Sequence, residues 1–97
     1  MTKYWLFTGG PVGRPTDSLK DARKKAINYI MDTGRASYTI VSAYDEPYDW
    51  LKNYKVIGLV ERSDADYRWI PKDRMQKCWI MDRNGALKEK IARPRYA

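Results

Sequence analysis

Only one stretch of this chain has helical periodicity, and it carries its own start and stop signals. Ser18 stands where an N-cap belongs, with Asp21 three residues on. That is capping-box spacing, in which each side chain satisfies a free backbone N–H. Asp17 and Asp21 also suit the positive end of a helix dipole. Gly34, after Thr33, supplies the C-terminal stop. Between these limits Leu19, Ala22, Ala26, Tyr29 and Ile30 recur at helical spacing and are expected to face a core. Lys20, Lys24, Lys25 and Asn28 are expected to face water, and Arg23-Lys24-Lys25 forms a short basic run on the same helix.

Nearly everything else with a pattern reads as strand. Residues 3–8 are aromatic-rich and end in glycines. The following segment, Gly9 to Arg14 and Pro15, reads as a turn that needs flexible backbone. It lies between a strand and a helix, where phosphate loops sit, but it matches neither phosphate-loop pattern. Residues 37–44, 55–62 and 67–71 read as further strands, the last two joined by a turn over Ser63-Asp64-Ala65-Asp66. Pro47 suits the first position of a helical turn or two through Trp50 and Leu51. Residues 77–83 and 86–91 flank Asn84-Gly85, the pair that best satisfies a two-residue type I′ turn, and so read as a tight hairpin. The tail, 93–97, is expected to fray.

One helix for five or six strands predicts an α+β domain. Its sheet is mostly antiparallel, its one main helix packs on one face, and a β-hairpin closes the chain. A right-handed helical crossover between two parallel strands fits the same order. The 97 residues suffice for one domain with a core of its own, spanning 1–97.

Composition narrows the chemistry. The chain has no His and one Cys, Cys78. Ser-His-Asp and Cys-His catalysis, internal disulfides and His-containing zinc sites are therefore excluded within the chain. Cys78 reads as a small buried hydrophobe. No cofactor, metal site or enzymatic activity is expected. No apolar run approaches a membrane span or a signal sequence, and a reducing cytoplasm is the expected compartment.

The net charge of +7 is uneven: +4 over residues 1–35, −3 over 36–66 and +6 over 67–97. Two basic ends around an acidic middle favour a polyanion or an acidic protein partner. In a two-residue hairpin, strict alternation puts Lys77, Trp79, Met81, Arg83, Lys88 and Lys90 on one face. Cys78, Ile80, Leu87 and Ile91 share the other, which is the better core candidate. Trp79 among cations is a stacking platform for single-stranded nucleic acid, whose phosphates the cations hold. Arg68, Trp69 and Arg74 extend that surface, and Lys24 with Lys20 adds phosphate contacts from the helix. The bland reading of Trp79 is a tryptophan packed under lysine stems. A second expectation is a protein-interaction module, accessory or inhibitory, using Tyr44, Tyr48 and Trp50 as anchors. Asp45, Glu46 and Asp49, among those aromatics, match no metal-loop spacing.

Overall fold

A computed structural model describes residues 2–44, 54–63, 66–72 and 78–91. Its strands are β1 (Thr2–Phe7), β2 (Pro11–Thr16), β3 (Ser37–Tyr44), β4 (Lys55–Ser63), β5 (Asp66–Pro71), β6 (Cys78–Met81) and β7 (Leu87–Ile91), with α1 (Leu19–Thr33) between β2 and β3. All seven strands join one sheet in the order β2-β1-β3-β4-β5-β6-β7, and every pairing is antiparallel. The architecture is the expected α+β sheet with one main helix, but with seven strands rather than five or six.

The extra strand is β2, within the segment read as a turn. Gly9, at φ +84°, sits in the turn that reverses the chain, and Leu6 pairs with Val12. Pro11 and Pro15 are tolerated because β2 is an edge, where an outward amide has no ladder partner to lose. The glycines therefore serve a β-hairpin and do not wrap the first turn of α1. The helix leads from β2 to β3 across β1. Both flanking strands are antiparallel to β1, hence parallel to each other without being neighbours.

The caps of α1 are those the sequence indicates. Ser18 Oγ accepts the Asp21 amide at 3.1 Å, and Gly34 at φ +76° donates its N–H to the Ile30 carbonyl at 3.0 Å. The reciprocal bond, from the Ser18 amide to the Asp21 carboxylate, is not formed; Asp17, one residue before the cap, pairs with Lys3. The helix buries Ala22, Arg23, Ala26, Ile27 and Ile30 against Leu6, Tyr38, Ile40, Val60, Trp69 and Met81 of the sheet. Arg23 belongs to the basic run Arg23-Lys24-Lys25, yet it lies on the buried stripe, one turn before Ile27 and two before Ile30.

Trp69 fixes the middle of this core. Its ring lies over Gly58, where an added Cβ would meet the ring at 2.5 Å and the Ile70 carbonyl oxygen at 2.6 Å. The sheet face turned away from α1 buries a second cluster, Trp5, Val41 and Ala43, with Phe7 packed against it. Among the described residues no helix is long and apolar enough to cross a membrane. The turn expected after Pro47 and the tail after Arg93 lie outside the described residues.

Candidate nucleic-acid interface

The β6–β7 hairpin is wider than Asn-Gly spacing predicts. The Asp82 amide bonds to the Ala86 carbonyl at 3.0 Å, and the Gly85 amide to the Asp82 carbonyl at 3.1 Å. Gly85 takes the left-handed conformation that favours glycine, at φ +80°. This is a three-residue loop, Arg83-Asn84-Gly85, with glycine at the left-handed third position. Asp82 stabilises it directly: one carboxylate oxygen accepts the Asn84 amide at 2.8 Å and the Ala86 amide at 3.1 Å. A side chain that caps two loop amides favours the longer turn over the two-residue one.

The longer loop changes the register near the tip. Cys78, Trp79 and Ile80 keep the expected partners Ile91, Lys90 and Glu89, but Met81 pairs with Leu87. Lys88 is the extra, bulged residue. A bulge re-aims side chains, and a one-residue slip moves them to the other face. Leu87 accordingly leaves the face of Ile80 and stands 41% exposed. It does not join the core as expected.

The expected polarity of the hairpin is also reversed. Met81 is buried in the helix-side core and Trp79 packs half-buried against it, so their face is the one turned towards α1. Trp69 is buried beneath Arg23, whose guanidinium carbon lies 5.5 Å from the ring centroid. Neither indole is an open stacking platform. The physical reason is that large aromatics on the helix side bury more apolar area than Cys78 and Ile80 offer on the other. Cys78 is nonetheless fully buried on the opposite face. Burial pushes its thiol up, the Arg68 charge opposes this and the Glu61 carboxylate reinforces it. The thiol is therefore protonated and inert at neutral pH.

Arg83 and Lys88 do come together. They line a cleft of about 350 Å³ with Arg62, Asp66, Tyr67, Met81 and Asp82. Arg62 reaches it because it pairs across the β4–β5 ladder with Tyr67, which in turn pairs with Met81. Among the described residues no ion pair joins the cleft's cations to its carboxylates. Arg62 and Tyr67 were not among the expected site residues. The turn read over 63–66 carried the signal, because pairing Ser63 with Asp66 places residue 62 opposite 67.

Lys24 lies beyond the hairpin tip. It is exposed on α1, and its backbone touches the position of Gly85. Arg23 ties the two elements, donating from Nε to the Gly85 carbonyl at 3.0 Å. Arg68 points to the opposite face, half-buried beside Cys78 and Glu61, and takes no part in this surface. Lys77 and Arg74 lie outside the described residues, as does the side chain of Lys90. The aromatic anchors Tyr48 and Trp50, and the Tyr44 side chain, also lie outside them. Comparison with models of known protein families, with curated proteins and with solved structures finds no match to this chain.

Proposed function

We propose that this chain is a non-enzymatic binding domain that holds nucleic acid, with little sequence specificity, in the cleft between the β4–β5 and β6–β7 hairpins. The observation that carries the reading is the set of three cations, Arg62, Arg83 and Lys88, gathered round Tyr67 without an ion-pair partner among the described residues. Side-chain cations that the protein does not neutralise are available to phosphate, and each contact releases counterions. Tyr67, half-buried against the helix-side core, is the aromatic side chain that lines the cleft, which Trp79 does not.

Anisotropy of a labelled single-stranded oligonucleotide tests this at low salt. The native chain is expected to bind. Neutralising all three positions (Arg62→Gln, Arg83→Gln, Lys88→Gln) is expected to weaken binding by at least about tenfold, since each phosphate contact is a charge-assisted bond. Equal binding by the triple variant, or none by the native chain, refutes the assignment. An acidic protein is the alternative partner for the same charges. Salt-resistant capture of a protein, with no oligonucleotide bound, would select it.

A further inference from the structure

The cleft holds carboxylates as well as cations, and the mixture says more about its ligand than net charge does. A site for phosphate alone gains from each cation and loses from each carboxylate. Here Asp66 and Asp82 line the same walls as the three basic residues. Asp82 has a structural task, since it caps the Asn84 and Ala86 amides. Asp66 has none: it is exposed at the start of β5, and its carboxylate forms no hydrogen bond or ion pair among the described residues. A carboxylate held near, but not paired with, three cations suits a ligand with anionic groups and a neutral hydrogen-bond donor.

Size narrows the ligand further. About 350 Å³ is at the lower end of small-molecule pockets. A duplex presents its bases inside grooves that a helix or a two-stranded ribbon must enter, whereas a cleft receives a base that has left its stack. One unstacked base fits. Cytosine offers an exocyclic amine that a carboxylate accepts, whereas thymine and uracil present an oxygen there, which a carboxylate repels.

Resting on the nucleic-acid reading above, we infer that the cleft takes one unstacked base of a single strand and prefers cytosine to thymine or uracil. Arg62, Arg83 and Lys88 hold the adjoining phosphates, Tyr67 supplies the aromatic wall, and Asp66 accepts the base amine.

The test compares labelled oligo(dC), oligo(dT) and a mixed-sequence duplex at one low salt concentration, at neutral pH or above so that cytosine stays unprotonated. Oligo(dC) is expected to bind about tenfold more tightly than oligo(dT), the scale of one hydrogen bond to a charged group. The duplex is expected to bind more weakly than either. Asp66→Ala is then expected to bind oligo(dT) more tightly than the native chain, because a negative charge has gone. The ratio between the two oligonucleotides is expected to collapse towards one. Unchanged thermal melting of this exposed-site variant shows that it folds. Equal affinities in the native chain, a ratio that survives Asp66→Ala, or tighter duplex binding overturns the inference and leaves the nucleic-acid reading standing. No binding to any of the three overturns both.

Discussion

Gly85 stands at φ +80°, and a Cβ placed there meets the Lys20 carbonyl oxygen and the Lys24 amide nitrogen, each at 2.8 Å. The hairpin tip is thus seated on the backbone of α1, and Arg23 holds it there through the Gly85 carbonyl. The sequence marks Gly85 as a turn residue, but its role as a contact is invisible without the helix beside it. The same holds for Gly58 under Trp69. Two costs are separable by substitution. Gly9 also has positive φ, +84°, yet nothing lies within 4 Å of its missing Cβ. Gly9→Ala is therefore expected to cost only the left-handed conformation, about 1 kcal/mol. Gly85→Ala adds displacement of helix backbone and is expected to cost about 3 kcal/mol in all. Urea unfolding of the two variants decides this, and equal losses would show that the tip does not press on α1. Arg23 illustrates the other limit of residue-level reading. Its neighbours Lys24 and Lys25 suggest a solvated run, whereas its place on the stripe of Ala22, Ala26 and Ile30 puts its stem in the core.

Elements whose signals are local were legible, and those set by a neighbour were not. The span of α1 follows from Ser18 and Gly34, whose effects reach only one turn. The limits of β3 follow from a run rich in β-branched and aromatic residues, Tyr38, Thr39, Ile40, Val41 and Tyr44. In β2, Pro11, Gly13 and Pro15 argue against a strand, and only its place at the sheet edge makes them acceptable. In β6 both faces carry apolar side chains, Trp79 and Met81 on one and Cys78 and Ile80 on the other, so alternation alone does not choose the core face. The tip register depended on Asp82, whose carboxylate caps two amides of the longer loop. Asp82→Ala is expected to destabilise the chain by about 1–2 kcal/mol, the scale of a lost cap. It also releases Arg83 and Lys88 from the geometry that brings them to the cleft, so oligonucleotide affinity is expected to fall although a negative charge has been removed. Rising affinity, measured by anisotropy below the melting transition, would show that the loop geometry does not matter for binding.

At the scale of the molecule, the fold brings together charges that the sequence keeps apart. The basic segments 1–35 and 67–97 are separated by an acidic middle. Packing Gly85 on the first turns of α1 sets Lys20 and Lys24, exposed on the helix, beside the hairpin that bears Arg83 and Lys88. The acidic middle contributes Arg62 to the same end, along with Asp66. Sequence charge therefore pointed to a polyanion, while the site depended on which ends meet. If the helix and the cleft form one electrostatic surface, both must contribute to counterion release. For a single strand the slope of log affinity against log salt steepens by about 0.7 per phosphate contact. Lys20→Gln with Lys24→Gln is expected to flatten that slope by about 1.4, and Arg83→Gln with Lys88→Gln by a similar amount. The helix pair is expected to leave the preference for oligo(dC) unchanged, because neither lysine lines the cleft. The hairpin pair is expected to weaken binding to both oligonucleotides. A slope indifferent to the helix pair would confine binding to the cleft, and the helix lysines would then be an ordinary solvated face.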